Sequence, residues 1–190
     1  MITKTAKPMP VTVDTWTQGN DPKQYAMDEM LDIVRQKYNN PDTITHVMVG
    51  TDSHSAGANY HFVTVLCVWD EGKGGTYFYK STYEPRKTFQ GSQKMRLQDE
   101  VTKSLALAFE LEEKTKIKPE VHIDASPADK KEFSSSFSDF LKGYVLSSGY
   151  DAILKPESFV SNCIADKHTR KRVRARRGNK NGSQTIGNSN

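Results

Sequence analysis

The sequence predicts an α/β domain built on one mixed five-stranded sheet, a three-strand antiparallel meander plus two parallel strands, flanked by helices. Three observations lead there. Apolar, β-branched stretches separated by short turns fill residues 45–82, the pattern of strands joined by hairpins. Helical and strand periodicities then alternate, and a strand that arrives through a helical crossover lies parallel to its neighbour. The length, 190 residues, suffices for one domain with its own core and leaves residues over at both ends.

Residues 1–20 contain Pro8, Pro10 and Gly19, show no period, and read as an N-terminal arm. The domain proper is expected over 21–169. It opens with a leading helix over 21–40, where Asp21-Pro22 has the form of an N-cap followed by proline at the first helical position. Tyr25, Met30, Leu31, Val34 and Tyr38 recur at helical spacing, and Asn39-Asn40-Pro41 stops the run. Thr45 to Thr51 is the first strand. A turn at Ser55 to Asn59 leads into Tyr60 to Trp69, apolar enough to be central. A glycine-rich hairpin, Asp70 to Gly75, leads into the third strand, Thr76 to Thr82.

Ser92 to about Lys116 is the longest helix, with a buried stripe of Leu97, Val101, Leu105, Ala108 and Leu111. A short strand follows Pro119 over Val121 to Asp124. A helix from about Lys130 to Ser147 ends near Gly149, a fifth strand runs from Tyr150 to Lys155, and a last helix beginning at Pro156 carries Phe159, Val160 and Ile164. Residues 170–190 read as a basic, disordered tail. They begin R-K-R-V-R-A-R-R and continue in Gly, Asn and Ser, which cannot build a core. No internal repeat is present.

The net charge of +4 divides unevenly. From Lys167 onward there are eight Lys and Arg and no Asp or Glu, which leaves 19 basic against 23 acidic residues in the remainder. An acidic body with a basic tail points to a polyanionic partner, most commonly nucleic acid, although a solvated end serving only solubility has the same composition. No apolar run approaches the roughly 20 residues that span a bilayer, and the first residues lack the apolar stretch of a signal peptide. No membrane association and a cytoplasmic location are therefore expected. Cys67 and Cys163 stand apart from any cluster of thiolate or imidazole ligands and are expected to be buried and reduced.

Four acids fall where chemistry would need them. Asp52 follows the first strand, in V-G-T-D-S-H, and Asp124 ends the fourth, in V-H-I-D-A-S-P. If these strands are parallel neighbours, both carboxylates emerge at the carboxyl edge where open α/β sheets place ligands. Glu100 borders the buried stripe of the long helix, whereas Asp99 points about 100° around the helix toward solvent. Asp166 lies on the last helix, one turn after Asn162. Ionised acids brought together repel, and a divalent cation relieves the repulsion. Hard oxygen donors without cysteine favour Mg²⁺ or Mn²⁺. Each acid taken singly also has an ordinary reading, as a turn former or a solvated helix residue.

The ordered blocks V-G-T-D-S-H, H-F-V-T-V, G-G-T-Y-F-Y, L-Q-D-E-V with A-L-A-F-E-L, V-H-I-D-A-S-P, G-Y-V-L-S-S-G-Y-D, L-K-P-E-S-F and A-D-K-H resemble the YkuK-like family, which is classed as RNase-H-like. The resemblance covers roughly Thr45 to Thr169. It implies an RNase-H-like fold, with Asp52, Glu100, Asp124 and Asp166 on the superfamily's acidic positions and holding two metal ions. The chemistry it implies is hydrolysis of a phosphodiester, one metal activating a water and the other stabilising the leaving 3′ oxygen. The 3′–5′ exonuclease branch carries a second acid two residues after the first aspartate; this chain has His54 there, which counts against that branch.

His168 lies two residues after Asp166 and either shuttles a proton, as in some superfamily members, or caps a helix end. His122 shares a strand face with Asp124. Ser53 and His54 line the loop next to Asp52. Lys94 and Arg96, near the start of the helix that carries Glu100, and Lys167, Arg170, Lys171, Arg172, Arg174, Arg176 and Arg177 in the tail are candidates for binding phosphates; all are equally ordinary as solvated residues. Tyr77 and Tyr79 share one face of the third strand and either stack on bases or pack the sheet. The leading expectation is a metal-dependent nuclease acting on RNA, an RNA–DNA hybrid or structured DNA. A non-catalytic nucleic-acid-binding or adaptor module on the same scaffold is the alternative. The sequence leaves the oligomeric state open.

Overall fold

The structure, a computed structural model, describes residues 15–19, 21, 23–126, 135–165 and 168, without the side chains of 135, 136, 162 and 163. Its elements are β1 (Thr15–Gln18), β2 (Gln24–Ala26), α1 (Met27–Tyr38), β3 (Thr45–Ala56), β4 (Asn59–Asp70), β5 (Gly74–Pro85), a 3₁₀ turn (Arg86–Phe89), α2 (Gln93–Thr115), β6 (Glu120–His122), α3 (Ser135–Ser147), β7 (Ala152–Ile153) and α4, a short π-helix (Val160–Ala165). They form one mixed sheet in the order β2-β1-β5-β4-β3-β6-β7. Pairing is antiparallel from β2 to β3 and parallel for β3–β6 and β6–β7.

The α/β class and the mixed sheet are as the sequence predicts, but the sheet has seven strands where five are expected. The two additional strands come from residues read as the end of the arm and the start of the leading helix. Asp21 does not cap a helix. Its Oδ1 accepts from the backbone N–H of Lys23 at 3.0 Å, a local turn that folds β1 back onto β2. The helix begins later, where the Glu29 carboxylate accepts from the N–H of Ala26 at 2.8 Å. Trp16 and Tyr25 then point into the core beside Phe78.

The three central strands, twelve residues each, pair along their whole length. Gly57, with φ +66°, makes the two-residue turn between β3 and β4, a backbone state that glycine adopts without strain. Helix α2 is bounded as expected: Ser92 Oγ accepts from the N–H of Met95 at 3.2 Å, satisfying one of the free donors of the first turn.

Period-2 alternation divides the sheet residues between two cores. Val47, Val49, Leu66, Val68, Phe78, Val121 and Ile123 face α1, α2 and α3. Met48, Val63, Val65 and Cys67 face α4 through Val160 and Ala165. Each such side chain stabilises the fold by roughly 1.5–3 kcal/mol when fully buried. Cys67 is buried and free, as expected, and burial pushes its thiol up to about 12. No helix among the described residues is long and apolar enough to cross a membrane.

Candidate active site

The parallel ladder between β3 and β6 ends at Gly50 opposite His122. Asp52 and Asp124 each lie two residues beyond that last pair, so they stand level. Alternation puts both on the α4 face, since Met48 and His122 already face it. Asp52 does not end its strand. β4 pairs with β3 all the way to Ala56, so Ser53 and His54 are strand residues, not the loop residues expected, and it is β6 that stops. The carboxylates therefore sit where β3 loses its parallel neighbour and runs on only in the antiparallel meander with β4 and β5. Asp52 is only 8 % exposed.

Glu100 reaches the same region from α2, on the other face, and is 4 % exposed. Its Oε1 accepts from Ser53 Oγ at 2.6 Å and from Arg96 Nη1 at 2.8 Å. The same Nη1 also donates to Ser53 O at 3.0 Å and Ser53 Oγ at 2.6 Å. Burial is the largest influence on the Glu100 carboxyl and pushes it up to about 8; Arg96 and Ser53 oppose this, and the negative charges of Asp52 and Asp124 reinforce it. The three acids thus share one electrostatic site although they come from two strands and a helix.

Asp124 has its own cation. Lys155 Nζ, just past β7, lies 2.7 Å from Asp124 Oδ1. The contact is an ion pair, and among the described residues Oδ1 has no other close partner. Sequence reasoning passed over Lys155. Its signal was positional: it follows the strand that lies parallel to the strand of Asp124.

Two residues fix α4 over this site. Gly50 has no Cβ, and one built there would lie 3.0 Å from the backbone N of Ser161 and 3.2 Å from His122 O, so α4 approaches β3 as closely as backbone permits. His122 Nδ1 accepts from the N–H of Val160 at 3.4 Å at the start of α4. Burial pushes the His122 imidazole below its ordinary range, against the pull of Glu120, so the ring stays neutral and keeps Nδ1 as an acceptor.

Asp166, Lys167, Arg170, Lys171, Arg172, Arg174, Arg176 and Arg177 lie outside the described residues. His168 is seated on β5, its ring stacked on Tyr79 at 3.8 Å between centroids and its Nε2 3.1 Å from the Tyr77 hydroxyl. Strand β5 is separated from β3 by β4 in the sheet order. Tyr77 and Tyr79 accordingly pack a histidine. Lys94 is exposed, its ammonium 5.5 Å from the centre of the Phe137 ring, while Arg96 is turned inward onto Glu100.

The donor set has the chemistry of a hard-cation site, with Glu100 in electrostatic reach of both Asp52 and Asp124. Among the described residues, however, no three His, Cys, Asp or Glu are gathered closely enough to hold an ion. Arg96 and Lys155 stand against two of the carboxyl groups instead.

An antiparallel three-strand meander extended by two parallel strands, with acids at the point where the parallel ladder ends, defines an RNase-H-type sheet carrying a carboxylate site. The family described as Ribonuclease H-like matches residues 28–170, most of the chain, and the chain belongs to that family. No curated protein and no solved structure matches it.

Proposed function

We propose that the protein is a metal-dependent nuclease that hydrolyses phosphodiester bonds in RNA, an RNA–DNA hybrid or structured DNA. The observation that carries this reading is the convergence of Asp52, Glu100 and Asp124 on one site, with Glu100 buried in the field of the other two. Burying like charges is unfavourable, and carboxyls perturbed in this way gather at functional sites. Asp52, Glu100 and Asp124, joined by Asp166, would hold two Mg²⁺ or Mn²⁺ ions. Such ions polarise the scissile phosphate and lower the pKa of a bound water. Glu100, placed by the long helix, orients the attacking side. Asp52 and Asp124, fixed level by the sheet register, would hold the ions from the sheet side. Ser53 holds the Glu100 carboxylate in place. The cations of the tail supply attraction to the backbone that the acidic body lacks.

A second reading has its own observation. Arg96 and Lys155 give Glu100 and Asp124 cationic partners without any metal, which is how a non-catalytic nucleic-acid-binding or adaptor module would keep these acids. Labelled RNA, hybrid and branched DNA incubated with Mn²⁺ separate the two. A nuclease cuts at least one of them, and Glu100→Gln abolishes the cutting while leaving binding intact. A binding module leaves every substrate whole in both proteins.

A further inference from the structure

We propose that Arg96 is a displaceable counter-cation that holds Glu100 in reserve: it occupies the carboxylate until a divalent ion arrives and then gives it up. The proposal deepens the metal-dependent reading above and rests on it.

The geometry suits a temporary partner. All three contacts run through one nitrogen, Nη1, to Glu100 Oε1, Ser53 Oγ and Ser53 O. They do not use the two-nitrogen fork by which arginine grips a carboxylate most firmly. Arg96 and Glu100 are one turn apart on α2, so the guanidinium can swing aside while both Cα atoms stay put. A place for it is at hand. Its guanidinium carbon already lies 5.6 Å from the centre of the Tyr60 ring, and Arg96 borders a polar cleft lined by Ser53, His54, Ser55, Tyr60 and Gln93. An aromatic face and open polar space both accept a guanidinium.

Charge makes the two occupants exclusive. A divalent ion that takes Glu100 into its shell meets the positive guanidinium at the same oxygen, and like charges that close in a buried site repel strongly. Removing that charge stabilises the loaded site whatever the proton state of Glu100 before the ion binds. The structure therefore describes a site with its acid buried and reserved.

The test is metal affinity, read on the full chain by isothermal calorimetry with Mn²⁺ and by the electron paramagnetic resonance signal of free Mn²⁺. Arg96→Gln, which keeps a neutral donor toward Glu100, should bind Mn²⁺ at least about tenfold more tightly than the parent protein, the effect of one partly buried charge. Arg96→Lys should bind within about threefold of the parent, because the charge is kept. In a Glu100→Gln background the Arg96→Gln gain should disappear. A parent protein that binds Mn²⁺ with an affinity unchanged or reduced by Arg96→Gln overturns the reserve role and leaves the metal reading standing. If neither protein binds Mn²⁺, both fall. Should Arg96→Gln fail to fold, the parent protein decides alone: with ¹⁵N-labelled arginine, saturating Mg²⁺ should shift the Arg96 side-chain resonances, and resonances unmoved at saturation contradict displacement.

Discussion

Glu100 is a carboxyl held mostly by what surrounds it. Its value of about 8 lies above the ordinary 4.5, and burial is the main cause. The folded chain therefore retains a proton that the unfolded chain has released between those two values. Stability from this group is fully present below about pH 4.5 and is lost as pH rises through about 8. Glu100→Gln imitates the protonated form and has no such dependence. In metal-free buffer its melting temperature should match the parent's near pH 5 and exceed it by several degrees near pH 8.5. Parallel melting curves across that range would show that Glu100 is ionised throughout and that Arg96 fully compensates its burial. The spacing of Arg96 and Glu100 was open to view in the sequence. On an exposed helix a cation preceding its acid by four residues is the weaker order, so spacing alone gives such a pair little weight. What gives the pair its importance is burial: the apolar stripe already puts Glu100 at its border, whereas the inward turn of Arg96 shows only in the folded chain. Lys155 and Asp124 were less legible still, since their contact joins segments separated by a whole helix.

Among the elements, the long ones were readable and the short ones were not. Helix α2 carries both a capping serine and an unbroken apolar stripe, and its bounds follow from them. Strands β1 and β2 have four and three residues, too few to show a period, and Asp21-Pro22 imitates a helix start. The last helix was legible as an element, but not its closeness to the sheet, which depends on Gly50 lacking a side chain. Gly50→Ala places a methyl group 3.0 Å from the Ser161 backbone, where nothing flexible can yield. Overpacking of this kind costs about 1–3 kcal/mol. Urea denaturation should show a loss of that size, and it should appear with an unaltered α2 if hydrogen exchange is followed segment by segment. A neutral substitution would mean that α4 is not seated on β3 as closely as the geometry has it.

At the scale of the whole molecule the acids and the cations are segregated. The body has more acidic than basic residues, and eight cations fall from Lys167 onward with no acid among them. An acidic site that acts on a polyanion needs attraction from elsewhere, and the tail has it. Each phosphate neutralised releases counterions, with a log–log salt slope of magnitude about 0.7 to 0.9 per contact. If half the tail cations engage, the slope for nucleic acid should be about −3 to −4. Truncation after Thr169 should flatten it and weaken binding at low salt. An unchanged slope would place the binding surface on the body. The same segregation sets the most direct test of the site. Crystals of the full chain grown with Mn²⁺ and measured at its absorption edge should show anomalous peaks bordered by the carboxylates of Asp52, Glu100 and Asp124, with Arg96 turned away from Glu100. Crystals saturated with Mn²⁺ that show no peak there, and Arg96 and Lys155 still on their carboxylates, would contradict a metal-dependent nuclease and leave the scaffold as a binding module.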